Sequence, residues 1–215
     1  MRPKKYSYTP ADDNATGFAS NQTGATCTLA ATSAADGLAH LVIITNDSAV
    51  DHSDNAETFA LTGTDADGFA QTETVAGPGV STTVTSTKYF KTLTSVVPSI
   101  TWVTDTYDVG WTDDIVSPTI PLNYRQQGGF QVACGVDISG TIDYTVQFCV
   151  EELRPQQPST AATAPSTLKW WNHEALTALT ADAFSNFTVP VTACRLLINS
   201  LTTGATIALQ LNQGN

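Results

Sequence analysis

The chain has 215 residues, with 9 Lys and Arg against 20 Asp and Glu and a formal net charge of −11. A surface of that sign repels phosphate backbones, which excludes nucleic-acid binding through the folded body. No run of about 18 apolar residues exists and no apolar stretch follows the basic N-terminus, so the expectation is a soluble chain with no membrane partner and no visible export signal.

The residues are rich in Thr, Ala and Ser, with no helical heptads. Thr and the β-branched aliphatics favour pleated, half-buried surfaces, so the fold class expected is all-β. A chain of this length makes one large β domain or two of about 100 residues, and two is the preferred reading.

Residues 1–25, punctuated by Pro3, Pro10, Asn14, Gly17, Asn21 and Gly24, are turn-rich and poorly periodic. They read as an extended N-terminal arm, either disordered or laid on a neighbouring subunit. Arg2, Lys4 and Lys5 give it a basic tip suited to an acidic partner.

The first domain is expected over 26–115. Leu38 to Thr45, LAHLVIIT, lies between Asp36-Gly37 and Asn46-Asp47 and reads as a central strand. ETFALTGT, DADG and FAQTETVA, residues 57–76, read as a hairpin in which Phe59 and Leu61 align with Val75 and Gly68 closes the loop. Alternating runs follow over 82–97 and 100–109. Strands spaced by Gly, Pro and Asp point to a sandwich and not to a parallel α/β sheet.

Between Asp113 and Gly129 the punctuation thickens, and Pro118 and Pro121 cannot donate to a central ladder. Residues 116–128 are therefore the expected linker, and 129–215 the second domain. Its first element, GGFQVACGVDISGTIDYTVQFCVEEL, reads as a β-hairpin whose loop, Ile138-Ser139-Gly140, ends on a glycine placed for the left-handed region. Phe130, Val132, Cys134 and Val136 share one face with Ile142, Tyr144, Val146, Phe148 and Val150, which puts Cys149 on the opposite one. Residues 154–167 read as a long Pro/Ala surface loop, Leu168 to Trp171 as a strand, and 173–184 as loop or short turn. Val191 to Leu211 reads as a last hairpin, with Cys194, Leu196 and Ile198 meeting Ile207, Leu209 and Leu211 across a loop ending on Gly204.

The groups that could carry chemistry are few. Cys27, Cys134, Cys149 and Cys194 lack any CxxC spacing and read as thiols of a reducing compartment, Cys134 and Cys194 as small buried hydrophobes. His40 sits in an apolar run and reads as a satisfied or edge-facing residue. His52, in Asp51-His52-Ser53-Asp54, reads as a loop histidine among carboxylates, and His173 has no motif around it. Asp65-Ala66-Asp67-Gly68 offers oxygens to calcium, but a hairpin turn explains it and the EF-hand continuation is missing. Asp105, Asp108, Asp113 and Asp114 read as a solvated rim. No GxSxG, HExxH, P-loop or dinucleotide fingerprint occurs, so no catalytic residue, metal ligand or cofactor is assigned.

Trp170 and Trp171 are consecutive, so a strand turns at most one toward the core. Subunit contact, sugar platform and loop cover are all open to the other. Four Asn-x-Ser/Thr triplets, at Asn14, Asn21, Asn46 and Asn186, carry little weight without a secretion signal.

Two stretches carry a likeness. ETFALTGTDADGFAQTETVAGPGVSTTVTSTKYFKTLTSV, with TGTDADG, QTET and TKYFKTLTSV as its recognisable pieces, resembles a recurrent pattern of structural proteins from virions of tailed bacteriophages. CGVDISGTIDYTVQF, a Trp-containing segment and PVTACRLLINSLTTGATIALQLNQG resemble another. The two cover about residues 30–110 and 128–214. The resemblance implies two antiparallel, jelly-roll-like β-sandwich domains in a multicopy, non-enzymatic component assembled in the host cytoplasm. Its partners would be copies of itself and capsid, portal or tail proteins. Placement as a capsid decoration or cement protein stands slightly ahead of a collar, neck or tail position. A carbohydrate-binding module using Trp170 or Trp171 is the rival from another class.

Overall fold

The computed structural model describes residues 3–53, 57–124, 130–151 and 168–213. The chain divides into two units, one made of Met1–Pro10 with Val116–Asn215 and the other of Ala11–Ile115. Each is all-β among the described residues, with antiparallel strand pairing in both.

The first unit holds β1 (Lys4–Tyr8). The second holds β2 (Asn14–Gly24), β3 (Ala39–Asn46), β4 (Thr58–Thr64), β5 (Ala70–Ala76), β6 (Thr83–Phe90), β7 (Thr92–Pro98) and β8 (Trp102–Val116). The chain then returns to the first with β9 (Ile120–Pro121), β10 (Val132–Ser139), β11 (Ile142–Cys149), β12 (Trp171–Asn172), β13 (Ala183–Phe187), β14 (Ala193–Leu201) and β15 (Thr206–Gln213).

In the Ala11–Ile115 unit, β8, β3 and β6 are neighbours with β2 alongside β8, while β5, β4 and β7 form a separate sheet. Phe59 and Leu61 of β4 are buried while Ala60 and Thr62 are not, the period of 2 that a one-sided strand needs. They join Phe18, Phe90, Trp102 and Tyr107 in one core. The hairpin of β4 and β5 has the expected register, Phe59 opposite Val75, and Gly68 takes φ +88°. Its turn is held by Asp65, whose Oδ1 accepts the N–H groups of Asp67 at 3.0 Å and Phe69 at 2.9 Å. The edge of β6 is closed by a side chain: Glu73 accepts from Thr87 N–H at 2.7 Å and Lys88 N–H at 2.9 Å. A carboxylate thus takes the place of a neighbouring strand.

In the other unit, β1, β15, β10 and β13 form one sheet, and β12, β11 and β14, with β9 on β14, belong to another. Here the expected hairpins are corrected. β10 pairs with β13 and β15, β11 pairs with β12 and β14, and the two strands joined at Gly140 do not pair with each other. The turn near Gly204 likewise carries the chain from β14 in one sheet to β15 in the other. Both connections are arches, in which the chain leaves one sheet and enters a second.

A glycine corner between two alternating runs suits an arch as well as a hairpin, because either buries one side of each strand. Val132, Val136, Tyr144 and Val146 are all buried, as are Leu196, Ile198, Ile207 and Leu209. The arches lie against each other. Thr202 N–H donates to Thr141 O at 3.0 Å, and Thr141 N–H donates to Thr202 Oγ1 at 3.2 Å.

Three further expectations are corrected. Of the expected arm, the described residues 3–25 lie largely in sheets: β1 pairs with β15, Lys4 opposite Leu211 and Tyr8 opposite Ile207, and β2 pairs with β8. β2 escaped notice because its register shifts three times, which erases the alternation a regular strand shows. Gly17 belongs to that irregularity, since a Cβ there would sit 2.1 Å from the Trp111 ring. Cys149 is buried, enclosed by the turn after β11, where Glu151 N–H donates to its Sγ at 3.3 Å. The Pro-rich segment expected as a linker carries β9, with Ile120 opposite Cys194. Arg2 and the expected loop 154–167 lie outside the described residues.

Candidate interaction surface

The outward side of the sheet β1-β15-β10-β13 carries a surface site among the described residues. Register places Lys5 opposite Gln210, Gln210 opposite Gly135, and Gly135 opposite Phe184, one row across four strands. The inward neighbours Cys134, Val136, Leu209 and Leu211 are buried, so alternation turns the row outward. Phe184 is 75% exposed, an unusual position for a phenyl ring. Two adjoining depressions of about 300 and about 370 Å3 share Gly135, Phe184 and Gln210.

The polar groups at this surface are tied down. Asp137 is held by Lys5 Nζ at 3.7 Å and by the Gln210 amide, which donates to its Oδ2. Asp182 Oδ1 accepts the Ile138 N–H at 2.8 Å. Lys4 and Lys5, expected as arm contacts, are strand residues at the border of this surface. Nothing in the sequence alone singled out Phe184 or Gly135, because facing depends on which strands flank β10.

The tryptophan pair is elsewhere in the same unit. Trp170 is half-buried and Trp171 is exposed, so neither ring enters the core. Arg195 Cζ stands 4.1 Å from the Trp170 ring centre and Lys169 Nζ stands 4.1 Å from that of Trp171. One face of each ring is therefore already occupied by a cation.

All three histidines hold the fold. His40 is buried: its Nδ1–H donates to Thr112 O at 2.7 Å, and Nε2 lies 3.0 Å from Asp36 Oδ2. Burial pushes the Asp36 carboxyl up, but His40 and the N–H groups of Leu38 and Ala11 outweigh it and hold the carboxyl below its ordinary value. His52 is buried and not an open loop residue. It stacks on Trp102 with ring centres 3.7 Å apart, bonds Glu57 through Nδ1, and has Asp105 Oδ2 3.6 Å from Nε2. His173 packs edge-on against Phe187 and accepts Ala175 N–H on Nδ1 at 3.2 Å.

The carboxylates expected as a solvated rim are half-buried and bonded. Asp108 accepts Asn21 N–H at 2.6 Å, and Asp114 accepts the Tyr89 hydroxyl at 2.8 Å, with burial pushing the Asp114 carboxyl up. Among the described residues no group of three or more His, Cys, Asp or Glu side chains is arranged to hold a metal ion. All four cysteines are free, and burial pushes the Cys27 thiol to about 11 and the Cys134 thiol to about 12.

Comparison with protein-family models, curated proteins and solved structures returns no match.

Proposed function

We propose that the protein is a non-enzymatic structural component of a tailed-bacteriophage virion, a decoration or cement protein on the capsid shell. Its two units are read as antiparallel, jelly-roll-like β-sandwiches, a rigid scaffold for multicopy assembly. The likeness of residues 57–96, 134–148 and 190–214 to virion proteins supplies the class. The geometric observation that carries it is how the reactive groups are used. His40 is taken by Asp36 and Thr112, His52 by Glu57 and Trp102, and His173 by the backbone of Ala175. The thiols of Cys27 and Cys134 are held as neutral, poorly nucleophilic groups. Groups spent on internal bonding suit a building part.

The test is mass spectrometry of purified particles with copy-number counting, joined to an electron-microscopic reconstruction. Copies that follow the capsid lattice are expected. Density confined to the tail axis would move the assignment to a collar, neck or tail protein, and absence from particles would overturn it.

A further inference from the structure

The outward row Lys5–Gln210–Gly135–Phe184 has the makings of a ligand site. Gly135 is the key residue. Its φ is not among the positive values, so the backbone does not demand glycine. A Cβ there would meet Phe184 Cδ2 at 3.9 Å and Gln210 Cβ at 4.0 Å, ordinary contacts. A side chain would therefore fit, and what its absence provides is an open floor beside an exposed ring. The carboxylates of Asp137 and Asp182 border that floor, the first beside Lys5 and Gln210 and the second bonded to Ile138 N–H.

The two depressions, of about 300 and about 370 Å3, are open and share one floor, a shallow platform that suits a small flat ligand. Charge points to a neutral ligand: Lys4 and Lys5 balance Asp137 and Asp182 around the same floor, and the carboxylates are acceptors for several hydroxyl donors. One apolar face must lie on the phenyl ring.

We propose that this surface binds a neutral pyranose unit of a glycan, its C–H face on Phe184 and its hydroxyls donating to Asp137 and Asp182. Lys5 and Gln210 are positioning residues that fix Asp137. The inference stands independently of the virion reading, since sugar binding and particle composition are measured separately.

The test is saturation-transfer NMR and calorimetry on the full chain with methyl glycosides of glucose, galactose and mannose and with N-acetylglucosamine disaccharide. At least one probe is expected to bind, with transfer strongest at ring C–H protons. Phe184→Ala and Gly135→Leu are each expected to weaken it about tenfold, the loss of one aromatic face or its floor, while Phe184→Trp retains binding. Both altered positions are at the surface, so unchanged circular dichroism and thermal unfolding separate lost binding from lost fold. Any one of three results would overturn the proposal: no probe binding, binding that survives both weakening variants, or binding that is lost in Trp171→Ala instead. Self-association of the chain that Phe184→Ala abolishes, without sugar binding, would assign the ring to a protein contact and overturn it as well.

Discussion

At the scale of single residues, buried polar groups in this chain act as fasteners. Asp36 is the clearest, since its carboxylate gathers His40 and the N–H groups of Ala11 and Leu38. Its folded pKa lies below the unfolded value, so its contribution is complete above about pH 4 and is lost as pH falls through the lower, folded value. Asp36→Asn is expected to cost about 1–3 kcal/mol near neutral pH. The gap between variant and parent should then narrow in acid, and urea unfolding measured from neutral pH down to about pH 3 reads both effects. A gap that stays constant with pH would show that the carboxylate's charge is not what holds these groups.

Among strands, local chemistry and distant partners divide the work. The glycine corners at Gly68, Gly140 and Gly204 were legible because φ of +88°, +85° and +79° is a local requirement. Most strand faces were legible for the same reason, since alternation follows from the pleat, but at the end of β11 it fails: Val150, expected inward, is exposed and Cys149 is buried. Whether Val136 and Ile142 flank a hairpin or an arch was not legible, because both bury the same side chains. The answer lies in β13, β14 and β15, some 40 to 70 residues further on. Phe184 stayed hidden for that reason, since its face is set only once β10 has taken β13 as its neighbour.

The arches also make the two glycines unequal. A Cβ on Gly140 would lie 2.9 Å from Ala205 Cβ, whereas one on Gly204 would meet nothing within 4 Å. Gly204→Ala should cost roughly 1–2 kcal/mol, the left-handed penalty alone, and Gly140→Ala about 2–4 kcal/mol because overpacking adds to it. Chemical denaturation of the two variants side by side measures the difference. Equal losses would mean that the arches do not press together at that corner.

For the whole molecule, the path of the chain matters more than any one contact. It contributes β1 to one unit, builds the other, and returns, so the units are joined at 10/11 and again at 115/116. A chain beginning at Ala11 would leave the outer edge of β15 unpaired from Ile207 to Leu211. That chain is expected to unfold at a lower temperature and to associate through the bare edge, read by calorimetry and light scattering. A synthetic peptide of residues 1–10 should reverse both effects. If the shortened chain keeps the parent's unfolding temperature and stays monomeric, β1 is dispensable.

The antiparallel rungs from Lys4–Leu211 to Tyr8–Ile207 also fix how the protein meets mechanical load. Tension applied at residues 4 and 211 falls on one rung at a time, so β1 peels away like a zip instead of resisting as a sheared block. A tether attached there would yield gently before either core is strained, while one anchored on β10 would pull against strands bonded on both sides.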